Sequence, residues 1–359
     1  MTPIYKPYIN PRVTKYAFDA ISTGWIANGD YKNIAENKLK EYLGVNYVIL
    51  LNSGTAALHL MARALYKFKP EITKIIVPNN VYVAAWNGFI YDNKYTLIPV
   101  EPDVNTWCMD TNKIGSIDIN NTAILAVHNV SSVINVSKLK RDYPGITILE
   151  DACEGFSGKY EGHLAGTEGL MSAFSFFSNK TITSGEGGAF VTNDKDIYDY
   201  CYKLHGQGQS DVRYVHDEIG YNYRMTNVQA ALLYGQLLEL DIILNTKRNI
   251  FNRYREKFEL YGINYQKYDY DTEPSNWIMG IRLNGRKYID IKEHFDLNYM
   301  ETRPMFYPMS VHTPEISVYS NSDDEIIAKL LSDECFMIPS YVELTEGEHN
   351  RIIEVIRRA

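Results

Sequence analysis

Three short stretches of the chain gather residue types that can do chemistry. The first, "FSFFSNKTITSGEGGAF" (174–190), sets Lys180 between the aromatics Phe174, Phe176 and Phe177 and the glycines Gly185, Gly187 and Gly188. A lysine amine attacks carbonyls only when neutral, which desolvation or a neighbouring cation favours. Aromatic surroundings and a turn that admits close approach suit such an amine, whereas a surface lysine at a hairpin is the ordinary reading of the stretch by itself. The second, "ILEDACEGFSG" (148–158), places Asp151 after an apolar strand and Glu154 three residues on. A carboxylate there can hold a cationic ring nitrogen or a metal, or it can cap a helix. A metal would lack ligands, since His163 is the one further candidate nearby. The third, "NSGTAALHL" (52–60), offers backbone N–H groups at a helix start with the hydroxyls of Ser53 and Thr55. Such a turn is either an anion site or a plain strand–helix turn with a polar cap. No Gly-Lys-Ser/Thr follows, so it is not a nucleotide P-loop.

The elements that must carry these residues read as an α/β unit. Apolar runs at "NYVILL", "KIIVP", "TAILAV" and "ITILE" alternate with helical patterns, as in a mostly parallel sheet. Ligands of such sheets bind beyond the carboxyl ends of the strands, where Ser53, Gly54, Thr55, Asp151 and Glu154 fall. A helix is expected over 225–245, with Thr226 and Gln229 as its capping box. Beyond it come a charged helix, "NWIMGIRL", "ETRPMFYPMSVH" and the closing helix "EGEHNRIIEVIRR". The domains expected are a large one over 1–245 and a smaller C-terminal α+β one over 246–359. In order along that scaffold, a phosphate-type turn, a carboxylate for a ring nitrogen and a sheltered lysine are the parts of a pyridoxal phosphate site.

Composition narrows the class further. The chain has 359 residues, 45% of them hydrophobic, and a net charge of -8, which supplies no basic stripe for nucleic acid. No apolar run approaches the roughly 18 residues of a membrane span, and the N-terminus lacks a signal peptide's apolar core. The four cysteines, with no CxxC pair, suit a reducing compartment. A cytoplasmic protein is expected, in the host's cytoplasm if the Tyr- and Asn-rich chain is viral.

The segments "STGWIANG", "NSGTAALHL", "EDACEGFSG", "SFFSNKTITSGEGG", "GYNYRMTNVQAA" and "ETRPMFYP" resemble, in order and over nearly the whole chain, the DegT/DnrJ/EryC1 family of sugar-nucleotide aminotransferases. The wording "EDA-x-E" and "NKTIT-x-GEGG" is most similar to its perosamine/viosamine-synthase branch. The resemblance implies fold type I, the fold of aspartate aminotransferase, and pyridoxal 5'-phosphate as cofactor. It implies transfer of an amino group from L-glutamate to C4 of a nucleotide-linked 4-keto-6-deoxyhexose for glycan biosynthesis. By position, Lys180 would bind the cofactor covalently and then carry protons, and Asp151 would pair with the pyridine nitrogen. Glu154 would approach the ring's 3'-oxygen and Tyr82 would stack on the ring. Gly54, Thr55 and Ser175 would hold the phosphate, joined by Asn222 from the second subunit of a homodimer with shared sites. Arg303 and Tyr307 would face the substrate, although an interdomain salt bridge serves Arg303 equally well.

Two segments depart from the family's wording. Pro78-Asn79-Asn80-Val81 stands where relatives often have "PTxT", and "NVS" follows His128 in place of "LYG". A dehydratase, in which histidine replaces the lysine, is disfavoured by Lys180. The alternatives left are a sugar-nucleotide 3-aminotransferase and a non-catalytic cofactor-binding protein.

Overall fold

The computed structural model describes residues 1–359, apart from the side chain of Ser116. Its centre is a seven-stranded sheet in the order Tyr47–Leu51, Gly188–Thr192, Met171–Ser175, Thr147–Asp151, Thr122–Val127, Lys74–Pro78, Thr96–Val100. Only Gly188–Thr192 runs against both of its neighbours, and the other pairings are parallel. The expected α/β class with a mostly parallel mixed sheet therefore holds. The near-continuous apolar runs follow from burial on both faces. Helix Gly54–Phe68 packs against one face through residues such as Leu58, Met61 and Leu65, while Phe174, Phe176 and Val191 pack with helix Asn227–Leu238 on the other.

A second, antiparallel sheet orders Asn264–Tyr265, Met279–Arg282, Cys335–Ile338 and Arg303–Pro304. Helices Tyr288–Leu297 and Glu346–Arg357 share its core with Phe258, Phe295 and Phe336. The chain's first residues join this part, since Thr2 bridges to Met300 and the Ile4 N–H donates to Glu301 Oε2 (2.9 Å). No helix among the described residues is long and apolar enough to cross a membrane.

The helix expected over 225–245 is two helices, Asn227–Leu238 and Leu240–Tyr261. The Thr226/Gln229 capping box starts the first, as its residue types require. The break comes at Glu239, whose buried carboxylate accepts from Asn10 Nδ2 (3.0 Å) and Arg12 Nη1 (3.4 Å) and so ties the opening helix Pro11–Ser22 to this corner. Apolar periodicity runs through Glu239 and carries no mark of that long-range tie. Residue 245, the expected domain boundary, falls within the helix Leu240–Tyr261.

That helix carries an unusual core residue. Lys247 is fully buried and donates from Nζ to the carbonyls of Trp277 and Ser340, each at 2.8 Å, beside the rings of Tyr5 and Phe251. Burial lowers its pKa to about 7. The two hydrogen bonds fix the lead-in and exit of the second sheet to the helix, and truncation would strand both carbonyls. Lys247→Ala is expected to cost about 3 kcal/mol, by the cavity and the orphaned acceptors, read as a lower midpoint in denaturant unfolding.

Candidate active site

At the carboxyl ends of the parallel strands lies a cavity of about 580 Å³, within the range of small-ligand sites. Ser53, Gly54, Thr55, Tyr82, Asp151, Glu154, Ser175, Lys180, Arg303 and Tyr307 all line it. Of the residues singled out in the sequence, Asn222 does not. It is exposed, and its carbonyl accepts from Asn52 Nδ2 (3.1 Å).

Each side chain is placed by its element. Strand Met171–Ser175 ends at Ser175, and the loop that follows is closed by Phe176 N–H to the Gly187 carbonyl (2.8 Å) and Ser184 N–H to the Phe176 carbonyl (3.0 Å). Gly185 turns this loop at φ +85°, a conformation that favours glycine. Lys180 rides on the loop with its side chain 13% exposed, so the surface-hairpin reading is excluded. Its Nζ lies 3.4 Å from Glu154 Oε1 and 3.9 Å from the centre of the Trp277 ring. Two aromatic side chains hold the lysine's backbone: Trp277 Nε1 donates to the Asn179 carbonyl (2.7 Å) and Tyr5 Oη to that of Lys180 itself (2.6 Å).

Asp151 closes strand Thr147–Asp151, and no helix follows it. The helix-cap reading therefore falls. Instead, Oδ1 accepts the N–H of Cys153 (3.0 Å), a local turn natural to aspartate. Burial pushes the carboxyl up, with Cys153 and the Lys180 charge opposing it only in part. Glu154 is pushed up to about 7, again by burial first, against the attraction of Lys180 and the Val130 N–H on Oε2 (2.8 Å). Two acids and one amine thus share a poorly hydrated pocket, an arrangement in need of further positive charge.

The third wall is the turn before helix Gly54–Phe68. Ser53 caps the helix, its Oγ accepting from Ala56 N–H (3.1 Å). A Cβ on Gly54 would sit 2.9 Å from Cys153 Sγ and 3.0 Å from Ser175 Cβ, so only glycine lets the helix start abut the strand that leads to Lys180. The helix N-terminus with the hydroxyls of Thr55 and Ser175 makes an anion site.

This donor set fits pyridoxal phosphate. An anion site, a buried carboxylate short of a cationic partner and an amine face one cavity, and these match a phosphate, a protonated ring nitrogen and an aldehyde. Tyr82, 61% exposed and edge-on to Phe306 with centroids 6.1 Å apart, borders the same space. Sequence reasoning missed Tyr5, Asn129, Trp277, Phe306 and His312. Trp277 lay in a quoted segment, "NWIMGIRL", but nothing local ties it to Lys180, a contact made across 97 positions of chain.

Comparison with known proteins bears on the fold and the reaction class. Residues 7–357 match the model of the DegT/DnrJ/EryC1/StrS aminotransferase family. The chain is 35% identical to the GDP-perosamine synthase of Escherichia coli O157:H7, over 99% of this chain and 97% of that one. It is 31% identical to the GDP-perosamine synthase of Vibrio cholerae, over 99% and 98%. Among solved structures, a variant GDP-4-keto-6-deoxymannose-3-dehydratase with bound GDP-perosamine superposes with a TM-score of 0.91 at 22% identity, covering 99% of this chain and 100% of that one. A sugar aminotransferase of Micromonospora echinospora gives 0.88 at 22% identity, with 100% of both chains covered. The structures bear on the fold alone, which is that of fold type I. The reaction class and the cofactor expected from the sequence hold as well.

Two outcomes test the geometry. A Cβ on Gly188 would lie 2.4 Å from the backbone carbonyl of Ser53, so Gly188→Ala must displace the anion turn. Cofactor affinity, read by absorbance titration, should fall about tenfold or more, the equivalent of one hydrogen bond to a charged group. The second outcome concerns pH. Because Glu154 holds its proton up to about 7 in the folded protein against 4.5 ordinarily, this carboxyl binds its proton more tightly in the folded apoprotein than in the unfolded chain. Its own contribution to stability should fall as pH rises through that window and level off above it, so the stability difference between the parent and Glu154→Gln should change with that slope in pH-dependent unfolding.

Proposed function

Because the chain belongs to the DegT/DnrJ/EryC1/StrS aminotransferase family, we propose that it moves the amino group of L-glutamate to C4 of a nucleotide-linked 4-keto-6-deoxyhexose, giving a perosamine- or viosamine-type product. The observation that carries this reading is the placement of Lys180 beside Glu154 and above Trp277, in the same cavity as Asp151 and the Ser53–Thr55 turn. The names of the two relatives given above, both GDP-perosamine synthases, point to the 4-amino sugar.

In this reading the cofactor, when bound, supplies an aldehyde to take up the amino group and a ring to receive electrons. Lys180 would hold that aldehyde covalently and, once displaced, would carry the proton between the substrate carbon and the cofactor, away from the donor in one half-reaction and to the acceptor in the other, as general acid and base. Asp151 keeps the ring nitrogen protonated, since its buried carboxylate gains most from a positive partner. Glu154, whose carboxyl burial pushes up to about 7, could give or accept a hydrogen bond at the ring's 3'-oxygen. Gly54, Thr55 and Ser175 take the phosphate. Tyr82 would cover the ring, and Arg303, which lies 3.5 Å from Glu301 at the exposed mouth, would reach the diphosphate of the nucleotide sugar beside Tyr307.

Asn222 enters the scheme through a homodimer. It stands outside its own chain's cavity, on an exposed loop next to the stacked rings of Tyr221 and Tyr223, and would complete the phosphate site of a partner subunit. Exposed apolar side chains at Phe18, Ile21, Trp25 and Ile26 supply a surface for that association.

Lys180→Ala should abolish turnover and the absorbance of the lysine-bound cofactor, and a variant with unchanged activity would refute the assignment. The acceptor is settled by incubating the holoenzyme with L-glutamate and each of the UDP-, dTDP- and GDP-4-keto-6-deoxyhexoses. Release of 2-oxoglutarate and an NMR signal for nitrogen at C4 are expected, whereas nitrogen at C3 would make the enzyme a 3-aminotransferase.

A further inference from the structure

We infer that Asn79, Asn80 and Glu325 form a clamp that sets the acceptor-side wall of the cavity, and that Asn79 is thereby a positioning residue for the sugar substrate. The inference rests on the proposed function for the identity of that substrate, but its geometry stands without it. The wall is the segment 305–312, whose Phe306, Tyr307 and His312 face the cavity. Its own order is one short 3-10 turn, Met309–Val311, so contacts from other segments must help to set its shape.

The clamp holds the segment at three places, residues 306, 309 and 310. Asn80 Nδ2 donates to the Phe306 carbonyl. Asn79 Oδ1 accepts the N–H of Met309 (2.9 Å), while its Nδ2 donates to Glu325 Oε1 (3.0 Å). Glu325 in turn accepts from Ser310 N–H (3.2 Å) and from the hydroxyls of Ser310 and Ser320. Both ends of the Asn79 amide are engaged, so no residue with only donors or only acceptors can replace it. Glu325 is 1% exposed without a cationic partner among these contacts. Burial works against its charge, yet the hydrogen bonds from Ser310, Ser320 and Asn79 win and hold its carboxyl below the usual range.

A third asparagine braces the clamp from the sheet side. Asn129 Nδ2 donates to the carbonyls of Asn80 (2.9 Å) and Trp107 (2.8 Å), and its own carbonyl accepts from Gln266 Nε2 (2.9 Å). The two segments that depart from the family's wording, Asn79-Asn80 and Asn129-Val130-Ser131, are thus bonded to each other and act on one wall. Asn79 itself is 3% exposed and does not line the cavity. It touches none of Lys180, Asp151 and Glu154, so its influence on the reaction must pass through segment 305–312.

The test uses the holoenzyme and the variants Asn79→Ala and Asn79→Ser, the second keeping a polar group should the first fold poorly. Hydrogen exchange should accelerate about tenfold or more in the peptide covering 305–312, where Met309 N–H loses its acceptor, and stay unchanged over 176–190. Cofactor absorbance and the rate of the half-reaction with L-glutamate should remain within about twofold, while KM for GDP-4-keto-6-deoxymannose rises roughly tenfold, the worth of one hydrogen bond. Unaltered exchange at 305–312 overturns the clamp, and equal slowing of both half-reactions overturns the positioning role. Should the parent enzyme aminate no keto sugar, the proposed function falls, and the exchange measurement still decides the clamp.

Discussion

A sheltered amine among buried carboxylates is the constraint around which this protein is arranged. Lys180 and Glu154 sit 3.4 Å apart with little exposure, and Asp151 adds a second acid in the same pocket. Removing such groups from water costs several kcal/mol per ion unless their hydrogen bonds and charges are met. The surrounding structure meets them piecewise. The Val130 and Cys153 N–H groups serve the acids, the Trp277 ring lies under the ammonium, and the pocket stays open to a cationic, phosphorylated ligand. In the proposed reading such a site is completed by its cofactor as well as occupied by it.

Holding that arrangement takes both sheets. The large sheet delivers Asp151 and Ser175 from the ends of adjacent strands and the anion turn from the end of its edge strand Tyr47–Leu51, a matter of topology alone. The smaller sheet and the N-terminal segment deliver what topology cannot: Trp277 and Tyr5, which grip the carbonyls of Asn179 and Lys180. Buried Lys247 bonds to the Trp277 carbonyl and lies 5.1 Å from the Tyr5 ring. Two lysines thus divide the labour, one kept available at the cavity and one committed to backbone carbonyls in the core.

The fold class and most of the cavity were legible in the sequence because local signals carry them. Apolar runs gave the parallel strands, and residues at their carboxyl ends fell at the rim as sheet geometry requires. Thr226 and Gln229 announced a helix start that the structure has. The signals failed where a distant partner decides. Glu239 breaks a continuous apolar periodicity because Asn10 and Arg12 claim its carboxylate. Asp151, by itself as good a helix cap as a ring partner, is resolved by the absence of any helix after it. Asn79 and Asn129 stood out only as unexpected letters, since the bonds that explain them reach to residues 309, 325 and 107.

The grip of Tyr5 on Lys180 also fixes an order of events during synthesis. The segment that carries Tyr5 is itself pinned by residues near the other end of the chain, through Thr2 to Met300 and Ile4 to Glu301. Trp277, the other half of the grip, likewise emerges from the ribosome almost a hundred residues after Lys180. The large sheet can therefore assemble on the nascent chain while the lysine loop still lacks its backing. Capture of the cofactor in its final geometry becomes a late step, one that loss of the chain from Met300 onward would forfeit although Lys180 and Asp151 had already been made.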